Sequence, residues 1–330
     1  MARTKTGQAR GAFLFRPRSC AAVRRRPYYL RMHIVLAGAS GMIGTALAAS
    51  LAAQGHSIVR LVRRDPLAGE ACWDPSRECL GAQALAGADA VINLAGVRIA
   101  GARWTRRRKQ AILDSRVQST VLLAAMMARM PHPPRVFLNA SATGCYGDRS
   151  DEALDESSRP GEGFLADVAV AWEAAAQPAS DAGIRVALLR SGIVLSKRGG
   201  ALAALRPPFL LGVGGPIGGG RQYWPWISMA DVLGAVSHIL DGPAISGPVN
   251  LVAPQETTSH EFAKALGRAL RRPAVIPLPA VAVRLAMGEM GVTLLVSARV
   301  RPGKLIATGY AFQHPTLDAA LAWACDRRTP

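Results

Sequence analysis

No two cysteines in this chain stand at C-x-x-C spacing, and the five present (Cys20, Cys72, Cys79, Cys145, Cys325) are odd in number. That excludes a zinc or disulfide framework and suits reduced thiols in a cytoplasmic compartment. No metal is expected, and no histidine stands at ligand spacing. Long apolar runs are missing too: each candidate is broken by Arg, Gly or Pro, which excludes a transmembrane helix. Nothing resembles a secretory signal. Acidic residues are absent from residues 1–31, which hold nine Lys or Arg and so half of the +18 net charge. Met32 stands directly before the first predicted strand. Residues 1–31 read as a disordered or spurious N-terminal extension, or as an Arg-rich organellar presequence. Beyond them the only basic cluster is Arg103 to Lys109. A nucleic-acid surface needs such charge spread over a face with stacking aromatics; a solvated helix start explains the run. No nucleic-acid or membrane partner is expected.

What is present is an ordinary globular composition, 50% apolar and 19% charged. From Met32 onward, strands and helices alternate. Strands are predicted at 33–37, 57–62, near 72–74, and at 89–96, 135–140 and 185–189. Helices are predicted at 42–54, 105–130 and 164–176. This alternation implies right-handed βαβ units and a Rossmann-type α/β fold, a doubly wound parallel sheet. The expected division is a dinucleotide-binding domain over 32–195 and a smaller substrate-side lobe over 196–330. The Gly- and Pro-rich stretch 206–226 reads as a long functional loop with no regular element. Helices follow around 230–240, 259–270 and 279–290.

The most informative segment joins the first strand to the first helix. Gly38, Gly41 and Gly44 stand three apart in a G-x-x-G-x-x-G pattern, with Ser40, Met42 and Ile43 between them. A glycine turn running into a helix lets backbone N–H groups approach a diphosphate, and the helix N-terminus adds positive potential. Asn93, Leu94, Ala95 and Gly96, ending the buried strand, complete the expected cofactor wall. An NAD site places a carboxylate about 20 residues past the turn, against the ribose hydroxyls. Here Arg63 and Arg64 occupy that region, with Asp65 next. A guanidinium suits a 2′-phosphate, so NADP(H) is expected over NAD(H).

These residues, with Tyr146-Gly147, resemble the extended short-chain dehydrogenase/reductase superfamily. Later motifs are similar to one atypical branch of it, the NAD(P)-binding sugar-nucleotide epimerase family. They are Ser141 to Gly147, Phe164-Leu165-Ala166 with Trp172-Glu173, Leu189 to Leu195, Gly212 to Gly218, Trp226-Ile227-Ser228 with Asp231, and Pro248-Val249-Asn250. Residues 276–322 resemble that branch's C-terminal segment of unknown function. The resemblance implies an NADP(H)-dependent epimerase or reductase acting on a nucleotide sugar or similar polar small molecule. It also implies pairing of many relatives through the helices near 105–130 and 164–176; burial inside one subunit explains the apolar faces of those helices equally well.

The superfamily's chemistry uses a Tyr with a Lys four residues on, whose charge lowers the Tyr pKa. This chain lacks the pair: Tyr146 has no Lys four residues later, and the helix from Phe164 holds neither residue type. Arg116 stands where many relatives carry an Asn. The remaining catalytic candidates are Ser141 or Thr143 to hold the reacting oxygen, Tyr146 as a displaced acid and Glu173 as a base. Each has a structural alternative: strand-end, packing or capping residue. Arg190 and Arg221 suit a diphosphate clamp or internal salt bridges. Trp224 and Trp226 suit stacking or core packing, and Asp231 with Ser228 suits the family's substrate-lobe motif after a strand or a helix cap. The empty Tyr and Lys positions keep a second function open, a non-catalytic NADP(H) sensor.

Overall fold

A computed structural model describes residues 31–81 and 83–326. The expectation for residues 1–31 therefore lies almost wholly outside the described residues, as does Cys20. The strands are β1 (His33–Ala37), β2 (Ser57–Val62), β3 (Glu70–Asp74), β4 (Cys79–Leu80), β5 (Ala90–Asn93), β6 (Val136–Ala142), β7 (Ala153–Leu154), β8 (Arg185–Ser191), β9 (Ile193–Leu195), β10 (Trp226–Ser228), β11 (Gly247–Leu251) and β12 (Arg299–Val300). The helices are α1 (Met42–Ala53), α2 (Arg106–Ala128), α3 (Phe164–Ala174), α4 (Gln177–Asp181), α5 (Gly200–Leu210), α6 (Met229–Asp241), α7 (Ser259–Leu270), α8 (Ala280–Met287), α9 (Glu289–Val292), α10 (Gly303–Ala307) and α11 (Leu317–Cys325).

Eight strands form one sheet in the order β11-β8-β6-β5-β1-β2-β3-β4, parallel except for the β3–β4 edge. The chain leaves β1 to one side for β2 and returns to the other side for β5. The strand order therefore reverses between β1 and β5, and the crevice above their carboxyl ends is where a doubly wound sheet binds ligands. Period-two alternation splits β1 between two cores. Ile34 and Leu36 pack with Leu47 and Leu51 of α1 and with Val232 and Val236 of α6. Val35 and Ala37 face the other way, toward Leu123 and Met127 of α2.

Residues from Arg31 onward form one compact unit. The expected boundary at 195/196 runs inside it, because β11 returns from the later half to pair with β8. A third core lies around Leu202, Phe209, Trp226, Phe262 and Leu321. The loop expected over 206–226 needs correction at its start. Residues 206–210 are helical, and α5 runs through Pro207 and Pro208. Both rings lie in its last turn, where the N–H groups of Leu211 and Val213 bond back to the prolines' own carbonyls. Phe209 is thereby buried in the third core.

Candidate functional site

The crevice above β1 and β5 opens into a cavity of about 420 Å³, lined from Gly38, Gly41 and Gly44 at one end to Ser141, Gly144 and Ser191 at the other. Its glycine end is built as expected. Gly38 turns the chain at φ +76°, and a Cβ there would lie 2.6 Å from the Leu94 backbone. At Gly44 a Cβ would lie 2.2 Å from the Gly38 carbonyl oxygen, so the helix could not pack onto the strand. Gly41 caps α1 without a side-chain hydrogen bond, and the first turn holds no acidic residue. The first hydrogen bond of α1 is donated by Thr45 to the Gly41 carbonyl, which leaves the N–H groups of Met42, Ile43 and Gly44 at the cavity unpaired within the helix. Donors aimed into a cleft at a positive helix end fit a dinucleotide diphosphate. Ser40 is exposed beside the turn.

The Asn93 to Gly96 segment divides. Leu94 lines the cavity. Asn93, expected against the cofactor, is instead fully buried. Its Nδ2 donates to Asn139 Oδ1 at 2.8 Å and Thr120 Oγ1 at 3.0 Å, and its Oδ1 accepts from the Ala95 N–H at 3.1 Å. An amide that satisfies a buried network has no free group for a ligand. Its work is to hold the Ala95–Gly96 turn. Gly96 in turn leaves room for Arg116, whose Cζ would lie 3.3 Å from a Cβ there.

At the end of β2 the two arginines also differ. Arg64 is held by Glu70, with Nη2 donating to Oε1 at 2.9 Å, Nη1 2.8 Å from Oε2, and Arg60 against the same carboxylate at 3.3 Å. The expectation that both arginines face the cofactor therefore narrows to Arg63. It is exposed and forms no hydrogen bond or ion pair among the described residues. Backbone and Arg64 hydrogen bonds hold the Glu70 carboxyl below its ordinary pKa.

The far end is a closed circuit. Ser141, at the end of β6, donates to Glu173 Oε1 at 2.6 Å. Glu173 sits on α3 and takes a fork from Arg190 of β8, Nε to Oε1 and Nη2 to Oε2, both at 2.8 Å. Arg190 Nη1 donates to the Tyr146 hydroxyl at 3.0 Å, which lies 2.8 Å from Asn250 Oδ1 and 2.9 Å from the Asp155 carbonyl. Arg190 was a candidate diphosphate clamp. It is 5% exposed and spends its fork on Glu173. Burial alone would lower its pKa, but the Glu173 hydrogen bonds reverse that and hold it above the ordinary value.

Tyr146, expected as a displaced acid, is fully buried and does not line the cavity. Burial pushes its pKa up to about 12 despite the neighbouring Arg190. It braces Arg190 and cannot meet a substrate. Thr143 is buried and reaches the Ser191 carbonyl at 3.3 Å. Of the four catalytic candidates only Ser141 lines the cavity, with Glu173 directly behind it. Trp224 and Trp226 are core residues, and Arg221 is exposed. Asp231 is fully buried; its backbone N–H and Oδ2 meet Ser228 Oγ at the start of α6, and its carboxylate accepts from the Gln313 and His314 N–H groups. The basic run reads as a helix start: Thr105 caps α2, Lys109 pairs with Glu289 at 2.6 Å and Arg103 reaches the Leu285 carbonyl. No described helix is long and apolar enough to cross a membrane.

The model of the NAD dependent epimerase/dehydratase family matches residues 34–251, most of the chain. The chain belongs to this family. A domain of unknown function matches residues 278–324, nearly the same stretch as the C-terminal segment 276–322 expected from the sequence. The epimerase family protein Mb2239 of Mycobacterium bovis is 44% identical over 296 residues, covering 89% of this chain and 98% of that protein. The crystal structure of human epimerase family protein SDR39U1 (isoform 2) with NADPH is similar at TM-score 0.83 and 37% identity, over 89% of this chain and 99% of that one. A nucleoside-diphosphate sugar epimerase of Corynebacterium glutamicum has TM-score 0.75 and 34% identity, over 90% of this chain and 58% of that one. The parallel sheet and its Rossmann-like fold agree with these matches.

Sequence reasoning missed one residue's place in the site. Arg116 was noted only as a replacement for an Asn. It is 7% exposed and lines the cavity. The signal was there: an arginine on the apolar stretch of a helix has to be paired or functional.

Proposed function

We propose that this protein binds NADP(H) in preference to NAD(H) and acts as an epimerase or reductase on a nucleotide sugar or a similar polar small molecule. The observation that carries the reading is one continuous cavity joining the unpaired N–H groups of Met42, Ile43 and Gly44 to the Ser141 hydroxyl. The NADPH bound by human SDR39U1 supports the choice of cofactor. When bound, a nicotinamide supplies the site with a hydride donor or acceptor. The start of α1 holds the diphosphate, and Arg63 holds the 2′-phosphate.

The chain's own part in the chemistry falls to Ser141 and Glu173. Because the Ser141 hydroxyl donates to Glu173, its free lone pairs accept a hydrogen bond from a substrate hydroxyl. As the substrate C–H is lost as hydride to an oxidised nicotinamide, the hydroxyl proton passes to Ser141 Oγ and the serine proton passes to Glu173 Oε1. The reverse step returns both. Arg190 orients Glu173 through its fork, and Tyr146 and Asn250 hold Arg190 in turn. Exposed Val121 of α2 and Val170 of α3 support a homodimer through those helices, checked by sedimentation. The free described cysteines suit a cytoplasmic compartment.

A second reading is favoured by the Glu173–Arg190 fork, which occupies both Glu173 carboxylate oxygens: an NADP(H) sensor without chemistry. The test uses NADPH deuterated stereospecifically at C4, with a panel of nucleotide sugars and carbonyl compounds. Deuterium in any product, abolished by Ser141→Ala with NADPH affinity retained, supports the enzyme. Tight NADPH binding with no transfer to any compound selects the sensor. NADH binding as tightly as NADPH at one salt concentration overturns the cofactor assignment.

A further inference from the structure

Among the residues lining the cavity, Arg116 alone carries a charge. It stands on the buried side of α2 and is 7% exposed. Its Nη1 donates to the Ile112 carbonyl at 2.9 Å and the Val97 carbonyl at 3.3 Å. The guanidinium lies over the Trp172 ring with Cζ 5.0 Å from the centroid. No carboxylate pairs with it among the described residues. Burial, together with the nearby charge of Arg108, lowers its pKa to about 10. Arg108 is itself incompletely satisfied, with a buried Nε that has no partner among the described residues. Two neighbouring cations without a counter-ion make an electrostatically incomplete site, since a buried charge is retained when it is paired.

We infer that Arg116 is an oxyanion-binding group for the substrate: it takes a carboxylate or phosphate oxygen of the molecule that lies beside the dinucleotide. Three observations select the substrate over the cofactor's diphosphate. The diphosphate already has a preformed cradle in the glycine turn and the first turn of α1. Arg116 stacks on Trp172 of α3, whose next residue, Glu173, holds Ser141. It therefore belongs to the wall where the reacting oxygen sits. Its Nε and Nη2 donate to no described group, so a fork is free for a planar oxyanion. The Gly96 position preserves this placement, because any side chain there would press on the guanidinium. The inference rests on the proposed function only in taking the occupant to be the substrate.

The test titrates sodium phosphate and, separately, sodium malonate into the protein by calorimetry at constant ionic strength, with NADPH saturating and again without it. Wild-type protein with NADPH is expected to bind at least one of the two anions, and Arg116→Met to bind it about tenfold more weakly. NADPH affinity should change less than about threefold. Arg116→Lys, which keeps the charge and loses the fork, should fall between them; it carries the test if Arg116→Met does not fold. Phosphate or malonate as the tighter ligand tells the two oxyanion sources apart. Equal anion affinity in wild type and Arg116→Met overturns the inference, as does no anion binding to wild type. A tenfold or greater loss of NADPH affinity in Arg116→Met also overturns it, by assigning the guanidinium to the cofactor. Failure of wild type to bind NADPH would instead sink the proposed function, and the difference between wild type and variant without NADPH would still report on Arg116.

Discussion

The two ends of the cavity are finished differently. At the glycine end the protein leaves its own groups unpaired: three backbone N–H groups at the start of α1, and Arg63 free in solvent. At the Ser141 end nearly every polar group is already spent on a neighbour, through Glu173, Arg190, Tyr146 and Asn250. Open donors make a preformed binding site that a ligand completes. A satisfied buried network makes a rigid wall, whose worth lies in the one hydroxyl it presents. The lesson is that cofactor binding here is written into backbone geometry, while any chemistry is written into a side-chain circuit. Arg116 is the exception at the second end, a charge the circuit does not reach.

The largest effect should come from breaking the first end. Gly44→Val places a Cβ against the Gly38 carbonyl, where backbone and not a flexible side chain must yield. NADPH affinity should fall by more than about 100-fold, with stability lowered by roughly 2–4 kcal/mol, read by fluorescence titration and urea melts. An unchanged affinity would mean that the turn does not cradle the cofactor.

The second end breaks through its ion pair. Glu173→Leu leaves Arg190 buried and uncompensated and should cost about 3–5 kcal/mol. Glu173→Leu with Arg190→Met should recover most of that loss, and the double-mutant cycle measures the coupling. If the double variant is as unstable as the single one, the circuit is not the structural unit described.

Arg63→Ala sharpens the comparison, because it removes a group that forms no hydrogen bond or ion pair among the described residues and has only a longer-range attraction to Asp74. NADPH should bind about 10–100-fold more weakly, by loss of a charge-assisted contact, while NADH binding stays within about threefold. Equal losses for both dinucleotides would take Arg63 away from the 2′-phosphate.

The smallest effect is a pH dependence at the buried end. Tyr146 titrates at about 12 in the fold against about 10 in the unfolded chain. The raised value means that its contribution is fully present below pH 10 and is lost as pH rises from about 10 to about 12, by roughly 2–3 kcal/mol at most. Urea melts of Tyr146→Phe should show a shallower decline than wild type in that window. Below pH 9 the variant should show no change in the pH dependence of NADPH binding.

Much of the fold was legible because apolar runs and glycine stops mark buried parallel strands. β1 and β2 fall at the residues expected, and α1 ends one residue early, at Ala53, with Gln54 as its cap. α5 was misread because Pro207 and Pro208 read locally as breakers, and burial of Phe209 was what paid for the turn. The glycine turn was legible for a local reason: a strand, three glycines and a helix have few geometries open to them. The roles of Arg190, Tyr146 and Arg64 were not, since each depends on a partner outside its own element: Glu173, seventeen residues away, for Arg190, Asn250, 104 residues away, for Tyr146, and Glu70, across a turn, for Arg64.

By itself the sequence determined the parallel α/β sheet and the dinucleotide turn, because both follow from local periodicity and backbone freedom over a dozen residues. Only the tertiary structure decided which candidates are free to act. It consumed Arg64, Arg190 and Tyr146 in contacts of their own, left Arg63 exposed and Ser141 at the cavity wall, and placed Arg116 in the cavity with no counter-ion among the described residues. Whether a polar group is available to a ligand depends on what else has reached it, and that is settled when distant segments pack together.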